Sequence, residues 1–495
     1  MRRSVAFLAL LSTGCATMEP KLGQADPAIP TSWPVGSPYL AQSEAALPAI
    51  TYKQIFTDVR LQTLIAQALV NNRDLMVAAA NIAEAREQYR IQRAQQFPQL
   101  NASAGVTPTI TRSSSGSGSS SGGSNGVTAD YSLGLSVPNW EIDLFGRLRS
   151  LTKAQFERYL ATEAGARSTR LTLVADIANA WLDYAADSSL LLVSQQTVNT
   201  AQQSVRLTRI RLEGGIAPRT DLSQAQEILS QAQANLAQQK TLVAQDMNAL
   251  QLLVGGPVAP VLLPASIDQA GKTIAELPAG VNSYVLLRRP DVVQAEYQLR
   301  SANANIGAAR AALFPKITLT GVLGFASSAL TSLFTGGAFG GQAGANATYA
   351  IFQAGAGRAN VRLTEAQRNA ALATYQRTVQ TAFREVSDAL ARHGTMDEQI
   401  AATGRQQAAA ADVLQLTEAR YRAGIDSFLN VLDAQRSYYS VQQTYVETKR
   451  TAAQNRVTLY QTLGGDALLQ NAPLCDVTYV SRASSAKLAS QCSPM

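Results

Sequence analysis

The chain has one histidine, His393, and three cysteines in 495 residues. His393 stands alone in a helix-like stretch, where a surface or seam position is expected rather than a ligand. No cluster has metal-ligand spacing, and no serine or cysteine has a base placed to activate it. Gly355-Ala356-Gly357 lacks the third glycine of a dinucleotide loop and follows a strand-like run. Neither an enzyme nor a bound metal or cofactor is therefore expected. Charge is also scarce, at 16% of residues, with no Lys/Arg run of the kind that binds nucleic acid. Mean hydropathy is close to zero. No later apolar run approaches the roughly eighteen residues of a membrane-spanning helix. If the chain crosses a bilayer, it must do so as a closed barrel.

What is present begins at the N-terminus. Arg2 and Arg3 precede the apolar run Val5 to Leu11, followed by Ser12-Thr13-Gly14-Cys15. Residues 1–14 have the layout of a signal peptide. A cysteine directly after a small residue resembles a lipoprotein signal, with Cys15 becoming the lipidated (palmitate-bearing) first residue. Ser12 stands three residues before it, where a leucine is usual, and the alternative is an ordinary cleaved signal with an incidental Cys15. Removing residues 1–14 lowers the net charge from +7 to +5. Cys475 and Cys492 remain, both in the tail. An oxidising compartment permits a disulfide between them, and two free thiols are the alternative.

The chain is a tandem duplication. RLEGGIAPRTDLSQAQ, Arg211 to Gln226, reappears as RYRAGIDSFLNVLDAQ, Arg420 to Gln435. With Gly215 set against Gly424, the seam Leu222, Ala225, Leu229, Ala232, Leu236, Val243, Leu250 meets Val431, Ala434, Tyr438, Val441, Tyr445, Ala452, Leu459. The steps alternate between three and four, as in a coiled coil. Gln239/Thr448 and Asp246/Asn455 fill the two gaps. Phe97-Pro98 pairs with Phe314-Pro315, and Phe145 with Phe352. Thr152 to Leu212 and Ala359 to Ala423 contain no proline, so each predicts a rod of about 90 Å. Two or three shorter helices in series are the alternative.

After each Phe-Pro the period changes to two. Leu100, Ala102, Ala104 and Val106 lie on one parity, as do Tyr131, Leu133, Leu135 and Val137. Ile317, Leu319, Leu323 and Phe325 follow, then Ala343, Ala345, Ala347, Tyr349 and Ile351. These predict four strands of roughly ten residues, long enough to cross a bilayer at a tilt. A Ser/Gly loop from Arg112 to Gly126 joins the first pair, and Ala326 to Gly341 the second. Ordinary soluble hairpins are the alternative. Four strands cannot close a barrel. In lipid the chain must oligomerise, and two or three copies would both close.

Leu287-Arg288-Arg289-Pro290-Asp291-Val292, with Ala295-Glu296 and Leu299, resembles the LRRPDVxxAExxL hallmark of the TolC/OprM/NodT outer-membrane efflux factors. Ala309 to Pro315, containing Phe314-Pro315, and Asp143-Leu144-Phe145-Gly146-Arg147 are similar to further stretches of that family. The resemblance covers the mature chain. It implies an α+β membrane protein and a homotrimer, in which four strands per protomer build one twelve-stranded outer-membrane β-barrel. The helical hairpins would form an α-barrel through the periplasm. It also implies a passive exit duct, served by a periplasmic adaptor (membrane fusion) protein and an inner-membrane RND-type pump. Gly214, Gly215 and Gly424 would turn the hairpin tips where the adaptor docks. Leu429 and Asp433 would ring the closed lumen, and Arg436 would pair with an acid on a neighbouring helix. Tyr421 would hydrogen-bond across helices. Asn430 stands where some members carry a second acid. Leu429 as seam packing and Asp433–Arg436 as a simple surface pair are the plainer readings.

The expected organisation is a signal (1–14), a lipid-anchored segment (15–56) and a first repeat (57–256; strands about 99–138, tip 213–219). A connection (257–285), a second repeat (286–465; strands about 316–352, tip 422–427) and a periplasmic tail (466–495) follow. A duct for type I protein secretion and a structural periplasmic coiled-coil lipoprotein are the competing functions.

Overall fold

The computed structural model describes residues 18–23, 29–30, 32–34, 51–111, 126–275 and 283–465. The segment 1–14, Cys15, Cys475, Cys492 and the tail 466–495 lie outside the described residues. So does most of the Ser/Gly loop. In chain order the elements are α1 (Tyr52–Ile55), α2 (Val59–Asn71), α3 (Arg73–Ala94), β1 (Asn101–Thr111), β2 (Gly126–Ile142), α4 (Arg147–Glu213) and α5 (Arg219–Val254). Then come α6 (Ile267–Ala270), α7 (Pro290–Ala311), β3 (Lys316–Ser327), β4 (Phe339–Thr348), α8 (Ala356–Arg422) and α9 (Phe428–Thr462). Both predicted rods are single helices: α4 and α8 each run 67 residues without a break. Among the described residues no helix is long and apolar enough to cross a membrane.

Contacts group the chain into two compact units, and neither unit is a repeat: each draws segments from both halves. One unit comprises residues 1–25, 83–161 and 295–374. It holds a four-stranded antiparallel sheet in the order β1-β2-β3-β4. The outer pairs are the expected hairpins, and β2–β3 joins one repeat to the other. Cα partners carry Ala104 to Leu133, Leu133 to Phe325 and Phe325 to Phe339. Side chains on partnered positions share a face, so the period-two pattern becomes one apolar surface. Leu133, Leu135, Leu323 and Phe339 on it are exposed, as a lipid-facing surface requires and a soluble sheet avoids.

Two strand limits differ from expectation. β2 runs to Ile142, past a bulge between Val137 and Trp140 where Pro138 supplies no N–H. β4 stops at Thr348, so Tyr349 and Ile351 are not in the strand. Its partner ends there: Lys316, paired with Thr348, is the first residue after Pro315. Below the strands the motif aromatics meet. Phe145 and Phe314 stack with centroids 4.7 Å apart, and Trp140 Nε1 donates to the Gln96 carbonyl at 3.1 Å. Arg147 grips Glu141 through two hydrogen bonds of 2.8 and 2.7 Å.

The other unit comprises residues 26–82, 162–294 and 375–495. Its core gathers Leu61, Leu64 and Ile65 of α2, Val174, Ile177, Trp181 and Leu182 of α4, Leu250 of α5 and Tyr460 of α9. The inter-repeat connection closes it: Trp181 Nε1 donates to the Leu262 carbonyl at 3.1 Å, and Thr57 N to Thr273 O at 2.9 Å. The seam gaps are polar for a reason. Gln239 is buried and donates to the Asp187 carbonyl at 3.2 Å. Asp246 faces Asp187. Burial, with the Asp187 and Asp183 carboxylates, pushes its pKa up to about 7 against the pull of Arg450. Asp246 Oδ2 is buried without a donor, which is the situation a shared proton relieves.

Candidate gate at the hairpin tips

Both helical hairpins turn by the same device. At the first tip Gly215 N donates to Leu212 O and Ile216 N to Arg211 O, each at 2.9 Å. At the second, Gly424 N donates to Tyr421 O at 3.0 Å and Ile425 N to Arg420 O at 2.9 Å. These are Schellman motifs, and they need the positive φ of Gly215 (71°) and Gly424 (75°). Gly214, just before the first left-handed residue, donates to Ile210 O at 2.9 Å. The returning helices start after Pro218 and Ser427, both extended. Ile216 and Ile425, one past each glycine, are exposed apolar tips.

The tips differ in their charges. Arg420 staples its own turn, with Nε on Asp426 Oδ2 at 2.7 Å and Nη2 on Oδ1 at 3.2 Å. That hydrogen bond holds the Asp426 carboxyl below its ordinary range. Arg211 occupies the same place in the first repeat, but its turn has Ala217 where the second has Asp426. It reaches across instead. Its guanidinium lies 4.6 Å from the centre of the Tyr421 ring, and Nη1 donates to the Tyr421 carbonyl at 3.0 Å. Neither Arg211 nor Asp426 stood out in the sequence. Setting the two tips side by side and asking what each arginine lacks is the signal that finds them.

Tyr421 is buried with Val205, Ala225, Phe428, Val431 and Leu432. Its hydroxyl has no hydrogen-bond partner among the described residues, so within one protomer the ring and the carbonyl make the cross-repeat contact. Burial raises its pKa, and the neighbouring Arg211 opposes that. Gln435 Nε2 adds a bond to Ser204 Oγ of α4 at 3.1 Å.

Leu429, Asp433 and Arg436 fall at i, i+4 and i+7 of α9, on one exposed stripe beside the buried Phe428, Val431 and Leu432. Leu429 is 54% exposed and is not seam packing within the protomer. No ion pair joins Asp433 to Arg436 among the described residues, and neither has another partner there. One chain thus presents an apolar, an acidic and a basic side chain outward at the second tip.

The signature residues serve the hairpin roots. Arg289 is 8% exposed. It binds Asp291 at 3.1 and 2.7 Å, Glu385 at 2.9 Å and the Thr462 carbonyl at 2.9 Å. Pro290 opens α7, and Arg288 is exposed. Phe314 makes the stack on Phe145, and Pro315 precedes β3. His393 lies half-buried on α8, and among the described residues no group of acids, histidines or cysteines has metal-site spacing.

Residues 64–256 and 282–465 match the profile of the family described as outer membrane efflux protein. The antibiotic efflux pump outer membrane protein ArpC of Pseudomonas putida is 41% identical over 465 residues, 93% of this chain and 95% of that one. The cation efflux system protein CusC of Escherichia coli is 35% identical over 462 residues, 92% and 98% of the two chains. The open state of the MtrE outer membrane channel of Neisseria gonorrhoeae superposes with a TM-score of 0.79 at 32% identity. It covers 91% of this chain and 99% of that one.

Proposed function

The chain belongs to the outer membrane efflux protein family, and from that premise we propose a gated exit duct for small molecules, closed at its second hairpin tip. Its place is the outer membrane, and its role is that of the outer-membrane channel of an efflux system. Three copies would close the barrel, β1 of one protomer pairing with β4 of the next. The open backbone edges of those two strands support this, because lipid does not tolerate unpaired edges. Acylation of Cys15 would add a lipid anchor. An adaptor protein, serving an inner-membrane pump, would dock at Gly214, Gly215 and Gly424, where the exposed Ile216 and Ile425 offer apolar contact.

The observation that carries the gate is the Leu429–Asp433–Arg436 stripe, outward-facing and unpartnered on α9, just past the tip of α8 that the Arg211–Tyr421 contact ties to the first repeat. Repeated three times, Leu429 would obstruct ions by dewetting and Asp433 would favour cations. Arg436 would find its acid on a neighbouring protomer. Planar-bilayer conductance tests this. Wild type should pass a small cation-preferring current, and Leu429→Ala/Asp433→Ala a much larger one. A large wild-type current that the substitutions leave unchanged places the gate elsewhere. No current from either folded protein sinks the duct.

A further inference from the structure

The two repeats treat one pair of acids differently. Setting Phe97-Pro98 against Phe314-Pro315 places Asn72 at the position of Arg289 and Asp74 at that of Asp291. α4 and α8 are equal in length, so Asp176 takes the position of Glu385. In the second repeat one guanidinium joins the two acids: Arg289 donates to Asp291 at 3.1 and 2.7 Å and to Glu385 at 2.9 Å. The first repeat keeps both carboxylates and has no arginine between them. Asn72 is shorter and its amide is already engaged, with Nδ2 on Leu253 O and Oδ1 on the N–H groups of Asp74 and Leu75.

Asp74 and Asp176 instead line one cleft of about 510 Å³ between α3, α4 and the start of α7. Asn81, Thr169, Thr172 and Gln294 add amide and hydroxyl oxygens to its wall. Gly165 lets α7 close that wall, because a Cβ there would lie 3.1 Å from Gln294 Nε2. No lysine, arginine or histidine is among the described residues that line the cleft, and neither carboxylate has an ion pair among the described residues. Burial raises the Asp176 pKa, and no neighbouring cation opposes that rise. We propose that this cleft binds a small organic cation bearing a guanidinium or primary ammonium group, which bridges Asp74 and Asp176 as Arg289 bridges Asp291 and Glu385. The internal duplicate carries the inference: it shows which group these two positions hold when the chain supplies one. A planar guanidinium or an ammonium offers several N–H donors to two carboxylates at once. The cleft has the size of a small-molecule site, so the cation can carry a substituent that meets the amides and hydroxyls.

Agmatine, which carries a guanidinium and a primary ammonium on one short chain, is the probe. Isothermal titration into the purified full-length oligomer, in detergent at low salt, should give one site per protomer. Asp176→Asn and Asp74→Asn should each weaken binding about tenfold or more. Both residues are exposed, so the fold bears either change. Glu385→Gln removes the same charge from the second repeat, where Arg289 already holds the pair, and should leave agmatine binding close to wild type. The bis-trimethylammonium analogue of agmatine has both charges without an N–H donor, and should bind about tenfold weaker or less tightly still. No binding by the wild-type oligomer overturns the site, as does an affinity that Asp176→Asn and Asp74→Asn leave unchanged. Equal losses in Asp176→Asn and Glu385→Gln, or equal affinities for the two dications, would show general attraction to surface charge and overturn it as well.

Discussion

The guanidinium of Arg289 donates to the backbone carbonyl of Thr462 across 2.9 Å. The first repeat makes the same connection with different chemistry: Asn72 Nδ2 donates to Leu253 O at 2.8 Å, while Asn72 Oδ1 caps α3 through the N–H groups of Asp74 and Leu75. Each tie runs from the start of a repeat's first long helix to the end of its last. Arg289→Ala removes the tie and leaves Asp291 and Glu385 facing each other without their cation. The expected loss is about 2–4 kcal/mol, larger than the about 1–2 kcal/mol of Asn72→Ala. Thermal unfolding followed by circular dichroism checks the order. Equal losses would mean that the carboxylates at Arg289 carry no weight.

The two tip arginines should behave differently. Arg211→Ala breaks a contact between the repeats and should raise planar-bilayer conductance several-fold. Arg420→Ala breaks an ion pair inside one surface turn and should leave conductance close to wild type. A reversed ranking would move the restraint from the cross-repeat contact to the turn itself.

The Asp187–Asp246 pair makes stability depend on pH in a stated direction. The Asp246 pKa rises from 3.8 to about 7 on folding, so between those values the folded chain holds more proton than the unfolded chain. Its contribution is full below pH 4 and is lost as pH rises through 7. Because Asp246 is half-buried and solvent screens it, the change is about 1–2 kcal/mol rather than the full shift. Asp246→Asn should flatten this dependence and melt later than wild type at pH 8. A variant that melts earlier at pH 8 would show that the carboxylate has a partner that stabilises its charge.

Glycines with the same backbone should differ in cost. Gly215 and Gly424 face open space, so alanine there meets only the left-handed φ, about 1 kcal/mol. At Gly255 (φ 77°) an added Cβ would also lie 2.5 Å from Asn71 O. Gly255→Ala should cost at least 1–2 kcal/mol more, again read by thermal unfolding. Similar midpoints for Gly215→Ala and Gly255→Ala would show that the Asn71 backbone yields.

The repeat, the rods, the tips and the strand pairs were legible because each rests on a local period or a glycine. The Leu222–Leu250 seam and its counterpart from Val431 to Leu459 were legible for the same reason. Three features were not. The end of β4 depends on where β3 begins, and Tyr349 and Ile351 continue the alternation after their partner has stopped. The polar seam positions Gln239 and Asp246 looked like interruptions, because their partners, the carbonyl and carboxyl of Asp187, lie on another helix. Arg211 looks like any solvated charge until tertiary structure supplies Tyr421. Recognition of the RRPD motif pointed to Arg289, but its role needed the position of Thr462.

The central join of the sheet has a consequence for how the protein is made. β1–β2 and β3–β4 are local hairpins, whereas Tyr131 of β2 pairs with Ser327 of β3 across the whole first helical hairpin and the inter-repeat connection. The first half of the chain alone therefore contains a strand pair with no neighbour at the free edge of β2. Completion of the sheet must wait until the second repeat has been exported and its Phe-Pro break reached. Loop-closure entropy makes that join late and slow relative to the helices. Until then the free edge of β2 is a surface that another strand can capture, so the order of export sets the interval during which the nascent channel needs protection.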